Sequence, residues 1–246
     1  MKLLIKIFLS LTAVISFSAI VYFSYLYLYI QYDEELSFYA AENVIVINDI
    51  FTTSYLVKSD SYYVAIDCNF NEDILWRAFY YNGIKPSQVR AVFLTHSDVD
   101  HTNGLDVFSS ADVYISKKEI DMINGGSQRF GFIPFLTNSL EKDDVITLAD
   151  NDSLFIGGIK IKCILLPGHT PGSMGYIVND IYLFTGDAFR IKNGKLNVPY
   201  KKLLAMDVDE MKRSLKKLTM LKGIKYIFSA HSGFSSDFEF AISDWR

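Results

Sequence analysis

The chain opens with one unbroken apolar stretch and then changes character. From Ile7 to Ile30 no side chain carries a formal charge. Wound as a helix, these residues reach about 36 Å, enough to cross a bilayer. Lys2 and Lys6 precede the stretch, and Asp33, Glu34 and Glu35 follow it. Because basic flanks stay on the cytoplasmic side, the pattern predicts a single transmembrane helix within residues 1–32. The N-terminus is then cytoplasmic and the chain beyond a connector at 33–43 extracytoplasmic. Tyr22, Tyr25, Tyr27, Tyr29 and Tyr32 crowd the far end, as an interfacial aromatic belt does. The competing reading is a cleaved signal peptide, since Ser16 and Ser18 are small enough to precede a cut. That cut leaves the apolar residues 20–30 at a new N-terminus, which favours the anchor.

Past residue 43 the apolar runs become short and are separated by Asn, Asp, Ser and Gly. Val44 to Ile47, Ser54 to Val57 and Tyr62 to Ile66 are rich in β-branched and aromatic residues and predict a strand meander. Asn71 then caps a helical pattern with Ile74, Leu75, Ala78 and Phe79 on one face, which stops at Asn82-Gly83. Ala91 to Leu94 is a continuous apolar run of the kind found in buried strands. Further strands are predicted at Ser153 to Ile156, Ile159 to Leu165, Gly175 to Val178 and Ile181 to Phe184. Asp207 caps a second helix whose apolar face is Val208, Met211, Leu215, Leu218 and Leu221, and Lys225 to Ser229 reads as the last strand. Two strand-rich halves, each with helices to cover one sheet face, predict an α+β domain over residues 44–246 with two sheets between helical layers.

Composition adds little to this picture. The 24 basic and 28 acidic residues include no long run of one sign, so nothing points to a nucleic-acid partner. Cys68 and Cys163 lie far apart beside apolar runs, where an unpaired cysteine behaves as a small buried hydrophobe.

The candidate chemistry sits where strands should end. His96 follows Ala91 to Thr95, His169 follows Leu165 to Gly168, Asp187 follows Leu183 to Gly186, and His231 follows Ile227 to Ala230. Loops at one rim of a sheet converge, and rigid strands hold what they carry. The densest cluster, Thr95 to Gly104, adds Asp98, Asp100 and His101 to His96. Imidazole and carboxylate together suit zinc, iron or manganese.

His96-Ser-Asp98-Val-Asp100-His101 resembles the H-x-H-x-D-H signature of the metallo-beta-lactamase superfamily. Pro167-Gly-His169-Thr-Pro-Gly-Ser173 is similar to its second histidine motif, Thr185-Gly-Asp187 to its bridging-aspartate motif, and Ala230-His231-Ser-Gly233 to its final one. The resemblance runs in order over about residues 44 to 235 and implies a four-layer αββα sandwich. It implies two divalent metal ions, usually Zn2+: His96 and His169 on the first, Asp100, His101 and His231 on the second, and Asp187 bridging both. Asp98 stands in place of the family's second signature histidine; a carboxylate there adds negative charge and favours harder ions such as iron or manganese.

The implied activity is hydrolysis of a small-molecule ester, thioester, lactone or beta-lactam by a metal-bound hydroxide, with Asp100 both ligating and orienting it. No G-x-S-x-G elbow occurs as a rival nucleophile. Two alternatives remain: a phosphodiesterase of the same superfamily, and a membrane-tethered metal-binding or sensing protein without turnover. Asn124 to Leu140, with Phe130, Phe132 and Phe135, is either an apolar lid or a surface excursion packed on the core. Between Asp187 and Asp207, the basic residues Arg190, Lys192, Lys195, Lys201 and Lys202 read as a solvated loop before they read as a guide for an anionic substrate.

Overall fold

A computed structural model of the protein describes residue 12 and residues 14–22, 36–123, 137–198 and 205–246. The chain divides into two compact units, Met1–Leu36 and Ser37–Arg246. In the first, residues 14–22 are helical, with Val14, Ile15, Phe17, Ile20, Val21 and Tyr22 exposed. Among the described residues no helix is long and apolar enough to cross a membrane. Most of the 7–30 span expected to do so lies outside them, as do residues 124–136 of the expected lid.

The second unit is built on two sheets. The first has seven strands in sequential order: β1 Ser37–Ala41, β2 Val44–Asn48, β3 Thr53–Lys58, β4 Tyr63–Ile66, β5 Val89–Phe93, β6 Asp112–Ser116 and β7 Ile146–Leu148. β1 to β4 are antiparallel neighbours, and β4 to β7 are parallel. The second contains β8 Ser153–Ile156, β9 Ile159–Leu165, β10 Met174–Val178, β11 Tyr182–Phe184, β14 Tyr226–Ser229 and β15 Gly233–Ser235, in the order β15-β14-β11-β10-β9-β8. Between β11 and β14 a separate hairpin forms from β12 Arg190–Lys192 and β13 Lys195–Asn197.

Alternation along the strands decides which side chains meet. In β9, Ile159, Ile161 and Cys163 point to one face while Lys160 and Lys162 point away. That inner face packs with Met174, Tyr176, Phe184 and Phe228 against Val44, Val46, Tyr55, Val57, Ile66 and Phe93 of the first sheet. Ile164 turns to the outer face, where Ile177, Leu183 and Ile227 meet Met211, Leu215 and Leu218 of helix α3, Val208–Leu218. Helix α1, Glu72–Tyr81, buries Ile74, Leu75, Ala78 and Phe79 on the first sheet's outer side, with Phe79 edge-on to Phe108 at 5.6 Å. Helix, sheet, sheet and helix therefore stack as αββα.

Both predicted caps form. Asn71 accepts from the Asp73 amide and Asp207 from the Glu210 amide, each satisfying a first-turn donor the helix leaves open. Two buried tyrosines cross between the sheets. Tyr55 of β3 donates to the Ser229 carbonyl at 2.7 Å, and Tyr176 of β10 to the Leu94 carbonyl at 2.6 Å. Each acceptor lies two residues ahead of a candidate ligand, His231 and His96.

The structure corrects the sequence reading at the edges. Residues 37–41, expected in a connector, form β1 and pair with β2. Lys225 to Ser229 is not the last strand, because β15 returns beside it and the short helix α4, Phe238–Ala241, follows. β6 and β7 were not anticipated; they are short and take their partners from parallel pairing in the folded sheet rather than from a hairpin signal. Cys68 and Cys163 are free and buried, as expected.

Candidate metal centre

Five strand ends deliver the site. The loops after β4, β5, β9, β11 and β14 carry Asp67, His96, His169, Asp187 and His231 in turn. The parallel pairs β4–β5 and β11–β14 put these loops at one rim of the sandwich. The short helix α2, Val99–Thr102, adds Asp100 and His101. Asp98 occupies its N-cap position but makes no capping bond, although a carboxylate there ordinarily accepts from first-turn amides. Its Oδ2 lies instead 3.2 Å from His169 Nε2 and 3.5 Å from His96 Nε2.

All seven residues singled out in the sequence come together here, in three overlapping groups: His96, Asp98 and His169; His96, His101 and Asp187; and Asp100, His101 and His231. Asp187 stands between the outer two. Its Oδ2 is 3.0 Å from His231 Nε2 and 3.5 Å from His169 Nε2, and its Oδ1 is 3.4 Å from His101 Nε2. Asp100 Oδ2 is 3.4 Å from His231 Nε2 and 3.7 Å from His101 Nε2.

The donor set fits cations. The Nε2 atoms of His96 and His169 face one another at 3.1 Å, close enough for both to reach one ion when each presents its lone pair. Among the described residues His101 Nε2 and Asp187 Oδ1 are buried with no hydrogen-bond partner and face one another at 3.4 Å, a condition that native proteins avoid. Four imidazoles and three carboxylates divide into two sets of like composition, two histidines and one aspartate each, with Asp187 common to both.

Charge in the site is mutually arranged. Burial opposes ionisation of Asp98, yet hydrogen bonds from His169 and His96 hold its carboxyl well below the usual range. Burial likewise opposes ionisation of Asp187, and His231, His169 and His101 outweigh it, again to well below the usual range. Asp100 is lowered as well, against its burial, chiefly by His101. Burial works against a charge on His101, but Asp67, Asp100 and Asp187 raise it well above an ordinary imidazole.

The residue that orients this cluster was not anticipated. Asp67, buried and at φ +58°, accepts from the Thr95 amide at 2.7 Å and its hydroxyl at 2.8 Å, and from His101 Nδ1 at 2.9 Å. The Thr95 hydroxyl gives its proton to Asp67, so at 3.0 Å its oxygen accepts from His96 Nδ1–H. In their neutral forms both rings then keep a lone pair on Nε2, the nitrogen aimed into the site. Asp67 follows the apolar run Tyr62 to Ile66 just as Asp187 follows its own strand, and that position was the available signal. Gly186 holds Asp187 close to this pair: at φ +53° it brings its Cα where a Cβ would meet Thr95 Oγ1 at 2.4 Å.

Of the basic loop, Lys195 pairs with Asp244 and lies 5.3 Å from the Phe240 ring centroid, so it is engaged elsewhere. Arg190 and Lys192 are exposed on the hairpin, whose Ile191 amide donates to Ser232 Oγ at 2.7 Å, beside His231. Lys201 and Lys202 lie outside the described residues.

Comparison with known proteins agrees with this geometry. A probable polyketide biosynthesis zinc-dependent hydrolase of Bacillus subtilis is 38% identical over 104 residues, 41% of this chain and 39% of that protein. A hydroxyacylglutathione hydrolase of Blochmanniella pennsylvanica is 32% identical over 161 residues, 63% of this chain and 53% of that protein. The chain thus matches about half or less of the length of these relatives. A subclass B3 metallo-beta-lactamase of Bradyrhizobium japonicum shares the fold, with a TM-score of 0.64 at 16% identity over 80% of this chain and 77% of that one. The family model of the metallo-beta-lactamase superfamily matches residues 47–231. With that match, the αββα sandwich and the paired His/Asp groups at one rim, the chain belongs to the metallo-beta-lactamase superfamily.

Proposed function

We propose that the protein is a dinuclear metal-dependent hydrolase, with zinc as the resident ion, that cleaves a small ester, thioester, lactone or beta-lactam. The observation that carries this reading is Asp187, whose two oxygens face the imidazoles of both ligand sets and one of which is buried without a hydrogen bond among the described residues. His96, Asp98 and His169 would hold one ion and Asp100, His101 and His231 the other. Bound there, the ions would supply Lewis acidity, polarising a carbonyl and lowering the pKa of water.

The chain's own side chains do the rest. Asp100 is the most accessible of the three carboxylates, its side chain 27% exposed against 14% for Asp98 and 13% for Asp187. With the metals bound it would both ligate and orient the water that attacks the substrate. Asp67 and Thr95 fix the tautomers of His101 and His96, so that neither ring turns while substrate enters. The turn before β3 carries the exposed Ile50 and Phe51, and Thr53 N bonds the Ala230 carbonyl at 2.8 Å, next to His231. An apolar edge of this kind suits an acyl or lactone chain better than a phosphodiester. The names of the two relatives, both hydrolases and one zinc-dependent, support the same class.

Asp98 makes the first set as rich in carboxylate as the second, a donor balance that also accepts iron or manganese. The charge-free span 7–30 and its flanking charges support a single-pass anchor with the hydrolase displayed outside the cytoplasm; protection of the C-terminal unit from protease added outside intact cells overturns that placement.

The decisive experiment is elemental mass spectrometry of the purified, dialysed full chain, followed by hydrolysis assays on an ester, a thioester, a lactone, a beta-lactam and a phosphodiester. Two ions per chain and turnover of one of the first four are expected. A chain that takes up no metal, or two ions with turnover of the phosphodiester alone, overturns the assignment.

A further inference from the structure

One buried carboxylate belongs to none of the ligand groups, yet it joins the two loops that carry the first of them. Glu119 lies on the turn Lys117–Met122 after β6 and is 0% exposed. Among the described residues it has no ion-pair partner. Its Oε1 accepts from the Ser97 amide at 3.1 Å and the Ser97 hydroxyl at 2.9 Å, and its Oε2 accepts from the Thr170 hydroxyl at 2.8 Å. Ser97 stands between His96 and Asp98, and Thr170 follows His169. The three members of the first ligand set are therefore each one residue from a donor to this one side chain.

The surroundings are built to keep it there. Asn138 Nδ2 donates to the Ser97 carbonyl at 2.8 Å and to the Met122 carbonyl at 3.1 Å, holding the Ser97 peptide to the end of the same turn. Thr170 is fixed by Ser173, whose Oγ lies 2.8 Å from Thr170 Oγ1 and accepts from the Thr170 amide at 3.0 Å. Gly172 approaches so closely that a Cβ would lie 2.3 Å from Glu119 Oε2 and 2.5 Å from its amide nitrogen. A carboxylate buried with no cation beside it among the described residues is costly, and an apolar side chain would fill the same space without that cost. What an apolar side chain lacks is a pair of acceptors that span two loops. Ligand sets depend on such supports for their spacing.

We propose that Glu119 is the positioning residue of the first metal subsite, setting the distance between His169 and the His96/Asp98 pair. The inference rests on the dinuclear reading given above. The second set is less dependent on it: His101 is held by Asp67 and His231 comes from the loop after β14.

The test uses the full chain. Cobalt(II) and zinc are titrated against a chromophoric chelator into wild type, E119Q and T170V, with H169A and H231A giving the cobalt spectra of a chain lacking one set or the other. E119Q offers an amide group where one loop needs an acceptor; T170V removes a single donor and keeps the shape. The expected result is a loss of affinity of about 10-fold to 100-fold at the first subsite, with the second unchanged, so that E119Q at limiting metal shows the H169A spectrum. T170V moves the same way to a lesser degree and decides the matter alone if E119Q does not fold. Equal affinities in variants and wild type overturn the proposal. So does a parallel loss at both sets together with a fall in the thermal stability of the metal-free chain, which makes Glu119 a support of the fold only. If wild type itself takes up no ion, the dinuclear reading has failed and this inference falls with it.

Discussion

The Nδ1 of His101 donates to the carboxylate of Asp67 at 2.9 Å, and both groups are buried. The Asp67 oxygen that receives it also accepts the Thr95 hydroxyl, whose oxygen in turn faces His96 Nδ1. One carboxylate thus orients an imidazole in each ligand set. D67N is expected to weaken both sets, by about 10-fold to 100-fold in metal affinity, as measured by chelator competition. An unchanged affinity would show that the two rings are held by other contacts.

Asp98 forgoes its capping bond to face His96 and His169. D98H is expected to raise zinc affinity at the first set and to lower the share of iron or manganese taken up from an equimolar mixture, because imidazole is the softer donor. Metal content after growth and after reconstitution reads this directly. Identical zinc binding in D98H places Asp98 outside the ligand set.

Asp100 is the carboxylate assigned to water. D100N is expected to keep the fold, as judged by circular dichroism, and to lose about 100-fold to 10,000-fold in turnover on whichever substrate the panel identifies. Turnover within a few-fold of wild type removes the residue from the mechanism.

Burial disfavours a charge on His231, but Asp187 and Asp100 push its pKa up to about 9. Below that pH the ring of the metal-free protein carries a proton that a cation must displace. Apparent metal affinity is therefore expected to rise between about pH 6.5 and about 9 and to level off above, with proton release visible by calorimetry in buffers of different ionisation enthalpy. For the metal-free fold the sign is opposite. The folded pKa exceeds the unfolded 6.5, so the stability His231 contributes is complete below about 6.5 and is lost as pH rises through about 9. A flat affinity profile across that interval contradicts the assignment of His231 as a ligand.

Gly186 permits the approach of the β11 loop to Thr95. G186A places a methyl group against the Thr95 side chain at a left-handed backbone position. The conformation alone costs about 1–2 kcal/mol, and displacement of Thr95 frees His96 Nδ1. Lower stability in denaturant together with weaker metal binding is expected; a loss of stability with metal affinity intact separates the backbone effect from the site.

Much of this protein was legible in its residues taken in order. Periodicity located β2 to β5, β8 to β11, β14, α1 and α3, because the interior is lined by strand faces with a period of two and helix faces with a period near four. The caps Asn71 and Asp207 marked helix starts through a local bond that needs no tertiary partner. The seven site residues stood out because a polar group capable of holding a cation, placed at the end of an apolar run, is visible without knowing the fold. What the chain in isolation did not reveal is whatever depends on a neighbour distant in sequence. β1, β6 and β15 are strands because β2, β5 and β14 offer them edges. That Asp98 gives up a capping bond to face His96 and His169 is visible only once the loop of His169 is brought beside it. Asp67 and Glu119 read as ordinary acids, Glu119 in a stretch with Lys117, Lys118 and Asp121 that resembles a solvated turn. Their roles arise from hydrogen bonds spanning 22 to 51 residues: parallel pairing of β4, β5 and β6 brings Asp67 to Thr95 and His101 and Glu119 to Ser97, and the packing of the second sheet on the first brings Thr170 to Glu119.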